Sequence, residues 1–133
     1  MHQHKYLRAY MAGIVAPTLF LLIALTAFIV ARLIYRISIP IERMIVFPMA
    51  LIPNLWGLWN MLYVRLRGSR PLPIGFHGAL LVILVVPSGF ALGRMLNFEL
   101  PPVAIFGAPA ALIAYYLLWK YLVNFLNELL GIA

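Results

Sequence analysis

The chain has 133 residues, 65% of them hydrophobic and only 10% charged, and its formal net charge is +7. An ordinary soluble domain carries roughly a quarter charged residues, so a water-solvated globular domain is excluded as the simple reading. Cysteine is absent, which removes disulfides, thiolate metal sites and thiol redox chemistry.

The apolar residues fall in blocks. Ala9–Ala31, Met44–Val64, Pro71–Gly93 and Leu100–Trp119 contain no charge and are 23, 21, 23 and 20 residues long. A helix needs about 20 apolar residues to cross a bilayer core, and in lipid only a helix or a closed barrel satisfies its own backbone. The alternation of barrel strands is missing. The expected fold is therefore all-α, an integral membrane bundle of four transmembrane helices forming one domain over residues 1–133. The basic residues stand at the block ends, where their stems can snorkel to anionic headgroups. The positive charge thus reads as anchoring to the lipid bilayer, and no nucleic-acid motif competes with that.

In chain order, Met1–Arg8 is a short basic head whose His2 and His4 lack the further ligands a metal site needs. Helix 1 is expected over about 7–35. Its apolar block is too long for a signal-peptide core and runs straight into Arg32, so it reads as a retained helix. Pro40 marks a turn by removing a backbone donor. Helix 2 is expected over about 43–67. The Gly, Ser and two prolines of 67–73 break the chain, and helix 3 follows over about 74–96. Residues 97–102 break it again, with proline in the first turn of helix 4, which extends over about 101–130. Glu42 and Glu99 precede helices 2 and 4, where a carboxylate complements the positive helix start.

Four crossings place Lys5, Arg8, Arg65, Arg67, Arg70 and Lys120 on one side of the membrane and Arg32, Arg36, Arg43 and Arg94 on the other. The excess of Lys and Arg faces the cytoplasm, so both termini are expected there.

The stretch from Pro53 to Tyr63 gathers two Trp, two Asn and a Tyr in an apolar run. At 100° per residue Pro53, Trp56, Asn60, Tyr63 and Arg67 share one side, and Leu51, Leu55, Leu58 and Leu62 the other. The leucines should face lipid. The polar-aromatic side should face protein or water, because a lone carboxamide in hydrocarbon is costly. Trp59 lies off to the side and reads as an interfacial anchor. Asn60, five residues before Arg65, and His77, seven after Arg70, sit at matching depth, and Tyr115, Tyr116 and Trp119 reach the same level. Trp56, Asn60, Tyr63, His77, Tyr115 and Tyr116 are thus the candidate packing or pocket face. Packing is the commoner use of such residues, since Trp and Tyr gather at interfaces for amphipathic reasons alone.

Pro53 and Pro87 lie inside apolar blocks and are the candidate hinges, with Ser88 able to satisfy carbonyls that Pro87 frees. Gly107, Ala110, Ala111 and Ala114 form a small-residue helix-packing face on helix 4. Lys120, Asn124 and Glu128 make a polar line on its tail, which reads as an amphipathic surface segment.

The blocks carry no carboxylate, so proton coupling through a buried acid is disfavoured. One membrane histidine does not make a metal centre, and Ser88 and His77 are about three turns apart on one helix, too far for nucleophilic catalysis. No enzyme activity and no cofactor are expected. The expected role is that of a non-catalytic subunit or assembly partner, associating with itself or with a larger membrane protein through helix packing. The alternative is a small oligomeric transporter or channel for a neutral or anionic solute.

Overall fold

A computed structural model describes residues 3–38, 51–95, 97 and 101–132. Among them the fold is all-α, with four helical rods and no strand. Helix α1 is Lys5–Leu33, α2 is Ile52–Leu66 and α3 is Ile74–Met95. The fourth rod, α4, runs Pro102–Leu129. It starts as a 3-10 turn (Pro102–Gly107), continues as α-helix (Ala108–Leu117), widens to a π-turn (Leu118–Val123) and ends as α-helix (Asn124–Leu129). The turn expected at Pro40, the start of helix 2 with Glu42 and Arg43, and Glu99 lie outside the described residues.

The helix ends follow local chemistry. Pro101 is extended (φ −61°, ψ 142°) and Pro102 occupies the first turn of α4, where its missing N–H costs nothing. Helix α1 lies two residues earlier than expected at both ends, and Arg36 beyond it is left-handed (φ 54°). Leu130 caps α4, and Gly131 follows in the left-handed region (φ 69°). The Gly131 N–H donates to the Glu128 carbonyl (3.0 Å) and the Ile132 N–H to that of Asn127 (2.8 Å), the paired bonds of a Schellman stop. This turns Ile132 back to bury against Ala9, Ala12 and Val64. Open space surrounds the Gly131 Cα, so Gly131→Ala should cost only the strain of a left-handed alanine, about 1–2 kcal/mol. Gly107→Ala, also in open space but with an ordinary φ, should carry no such strain. Equilibrium unfolding in mixed micelles compares the two.

Three rods are long and apolar enough to cross a membrane: α1, α3 and α4. Much of their apolar surface faces outward, including Phe20 and Ile23 on α1 and Phe106 and Ile113 on α4. In water such a surface would be an association liability; in hydrocarbon it is the ordinary outer side of a span. Helix α2 has 15 residues, about 22 Å at 1.5 Å per residue, short of the roughly 30 Å hydrocarbon core.

Helices α1 and α2 form an antiparallel pair, Ala9 standing beside Asn60 and Gly13 beside Trp56 and Gly57. The approach is backbone on backbone. A Cβ at Gly13 would lie 2.5 Å from the Trp56 carbonyl oxygen and 2.8 Å from the Gly57 Cα. Ala9, Ala12 and Ala16 are buried along the same side of α1, the arrangement by which small residues let membrane helices touch. One small-residue face used inside this fold is therefore on α1. On α4, Gly107, Ala110 and Ala114 are exposed among the described residues and Ala111 is half-buried, so most of that stripe faces outward.

Helix α3 passes through Pro87 without interruption. The Ser88 hydroxyl donates to the Leu84 carbonyl at 2.6 Å, one residue beyond the Ile83 carbonyl that Pro87 leaves free. Pro53 is the second residue of α2 as described. Neither proline breaks the helix that carries it.

Candidate functional site

The interior is built where α2, α3 and the π-turn of α4 meet. Trp56, Asn60, His77, Trp119 and Asn127 are all buried there, Asn60 and Trp119 completely. On α2 the buried line is Trp56, Gly57, Asn60 and Val64. It overlaps the expected polar-aromatic side but is rotated toward Gly57 and Val64, and Tyr63 is left half-buried. Of the leucines opposite, Leu58 and Leu62 face outward while Leu55 packs on the core around Trp56.

Two reciprocal polar clasps hold the elements together. In the first, the Asn60 amide donates to the Ala9 carbonyl (2.7 Å) and to the Asn127 side-chain oxygen (2.8 Å), and the Asn127 amide donates back to the Asn60 oxygen (3.1 Å). One carboxamide pair thus ties α1, α2 and the end of α4. In the second, the Trp59 indole N–H donates to the His77 carbonyl (2.6 Å), and the His77 Nε2 donates to the Trp59 carbonyl (2.9 Å). A carbonyl only accepts, so this Nε2 carries a proton. The nitrogen is thereby engaged, and among the described residues no group of three His, Asp or Glu side chains could hold a metal ion.

Aromatic rings fill the space between the clasps. Trp59 stacks on His77 at 4.8 Å, Tyr63 tilts against His77 at 5.3 Å, and Trp119 meets it edge-on at 5.8 Å. Trp56 lies 5.4 Å from Trp119 and 4.9 Å from Tyr115. Tyr116 turns away from this centre, with its ring over Gly75 and edge-on to Phe76. Such ring pairs add about 0.5–1.5 kcal/mol each beyond their buried area. Among the described residues the buried Trp119 indole N–H has no hydrogen-bond partner. The Trp56 N–H also has none at bonding geometry, although the Tyr115 hydroxyl is close enough to interact with it.

The structure thus brings Trp56, Asn60, Tyr63, His77 and Tyr115 to one place and sets Tyr116 at its edge. No family model, no curated protein and no solved structure matches the chain. The chemistry of the cluster therefore has to be read from its own geometry.

Two residues change roles. Trp59, read from sequence as an interfacial anchor, is half-buried and forms half of the second clasp. Asn127, which no pattern singled out, is 1% exposed and completes the first. The tail of α4 was expected along the membrane surface. Instead it packs into the bundle, with Val123, Asn127 and Ile132 buried and Lys120, Phe125 and Glu128 outward. Of the expected polar line, Asn124 donates to Glu128 at 3.1 Å. Lys120 lies over the rings of Tyr116 and Tyr121, at 5.6 and 5.3 Å.

Proposed function

We propose that this chain is a small multi-pass integral membrane protein acting as a non-catalytic subunit or assembly partner, and that its polar interior is a packing centre. The observation that carries the reading is how the interior amides and imidazole are used. Asn60 and Asn127 bond each other, and His77 bonds the Trp59 backbone. A binding or catalytic site presents polar groups toward a ligand; here they are occupied by neighbouring helices. The outward apolar surface, Phe20 and Ile23 on one rod and Phe106 and Ile113 on another, is available to lipid or to a second membrane protein.

The test has two arms. Chains carrying a purification tag are isolated in mild detergent and examined for a stoichiometric partner, another copy included. The same protein in liposomes is assayed for solute flux. Association without flux is the expected result. Flux of a neutral or anionic solute through the reconstituted protein, as an oligomer of this chain alone, would replace this reading with the small oligomeric transporter or channel.

The proposed topology puts both termini in the cytoplasm, on the excess of Lys and Arg at that side. It requires α2 to cross together with residues that precede it. Because the chain has no cysteine, single cysteines report directly. Gln3→Cys and Ser69→Cys should label from the cytoplasm and Arg36→Cys from the opposite side. Labelling of all three from one side would overturn the four-crossing topology.

A further inference from the structure

Cations gather at one end of the fold. Lys5 and Arg8 lie in the first turn of α1, Arg65 and Arg67 at the end of α2, and Arg70 in the loop that follows. The antiparallel pairing of α1 and α2 brings both groups to the same end, as the packing of Ala9 near Val64 requires. Glu128, on the α4 tail that reaches this end, is engaged by Asn124. Among the described residues none of these cations is held by a carboxylate.

Between the start of α1 and the last turns of α2 runs an open groove of 360 Å³, lined by Tyr6, Leu58, Met61, Leu62 and Arg65. Leu58, Met61, Leu62 and Arg65 follow one another at helical spacing, so they form a single stripe down α2. Three apolar side chains make its floor and a cation ends it, with a tyrosine from α1 on the rim. Leu58 is 55% exposed and Leu62 36%, so the groove opens sideways into the surrounding hydrocarbon.

The geometry points to this groove as the seat of one anionic phospholipid, with an acyl chain along Leu58, Met61 and Leu62 and the headgroup phosphate on Arg65 and the Tyr6 hydroxyl. Three observations select that occupant. The polarity changes once, from oil to cation, in the order in which a lipid changes from chain to headgroup. The volume is at the small end of ligand sites and suits part of one chain, not a helix. Finally, the end of the fold that carries the groove has a surplus of cations, and basic pockets at helix ends are where anionic headgroups collect. A free phosphate would leave the apolar floor unused.

The purified chain in detergent is titrated with phosphatidylglycerol or phosphatidylcholine of identical chains, and bound lipid is counted by native mass spectrometry. Inorganic phosphate and glycerol phosphate serve as headgroup-only probes. One phosphatidylglycerol per chain is expected, preferred about fivefold over phosphatidylcholine, the weight of one cation near an anionic headgroup. Arg65→Gln should erase the preference and keep the chain contact. Leu62→Trp, which fills the groove, should weaken both lipids, and Arg94→Gln on the far end of α3 should change nothing. Equal binding of the two lipids would overturn the proposal. So would an equal loss in Arg94→Gln, which would make the preference a diffuse field. Phosphate alone competing as well as the lipid would make it a simple anion site, and retention of a second protein chain on the groove in place of lipid would also end it.

Discussion

Gly78→Ala should destabilise the protein, although alanine is the better helix former. Helix propensity alone predicts a gain of about 1 kcal/mol for glycine to alanine in a helix interior. Tertiary packing predicts the opposite sign. A Cβ at Gly78 would lie 2.0 Å from Cγ and 2.4 Å from Cβ of Trp119. Those atoms sit at the root of a fully buried side chain held between Trp56 and His77, so rotating the ring cannot relieve the clash. Either the Trp119 backbone retreats from α3 or the ring leaves the core. Overpacking of this kind costs about 1–3 kcal/mol, occasionally more. The measurement is the equilibrium unfolding midpoint in mixed micelles, followed by helix circular dichroism and Trp fluorescence. A variant as stable as the parent, or more so, would mean that Trp119 is not seated on α3.

Asn60→Leu keeps the side-chain heavy-atom count and removes every polar atom. It strips Asn127 of both a donor and an acceptor while leaving it 1% exposed. A buried amide left unsatisfied costs about 1–3 kcal/mol, whereas an interhelical hydrogen bond in a membrane contributes only about 0.6–2 kcal/mol. The larger part of the loss is thus the stranded partner, and a double-mutant cycle separates the two. Asn60→Leu and Asn127→Leu should each destabilise by the larger amount, and the double variant should be no worse than the poorer single, because neither amide is then stranded. Simple additivity of the two losses would show that the carboxamides do not act as a pair.

Much of the architecture is local and therefore legible. Long uncharged blocks gave the all-α fold and rods long and apolar enough to cross a membrane, because their length and lack of charge are properties of the residues themselves. The breaks at Gly68–Pro73 and at Pro101–Pro102 were equally readable, since proline and glycine act on their own backbone. The buried side of α2 was found approximately, because the spacing of Trp56 and Asn60 records which side of the helix avoids lipid.

The partners of that side were not legible. Asn127 is 67 positions from Asn60 in sequence, and it lies beyond the π-turn Leu118–Val123. A π-turn closes i→i+5 bonds and so resets the face of every later residue. A wheel drawn at 100° per residue through Lys120 cannot follow it, and the tail was read as a surface segment. Trp59 was misplaced for a related reason: its acceptor, the His77 carbonyl, is a backbone atom of another helix and leaves no mark in composition. The choice between small-residue stripes was also tertiary. Ala9-x-x-x-Gly13 and Gly107-x-x-x-Ala111 are equivalent as patterns, and Gly57 across the α1–α2 contact decides that the first is buried. The sequence by itself marked the apolar rods and, on α2, roughly the side that is buried. Only the assembled rods decided which surfaces meet, because close packing and hydrogen bonding depend on atoms brought together from distant positions.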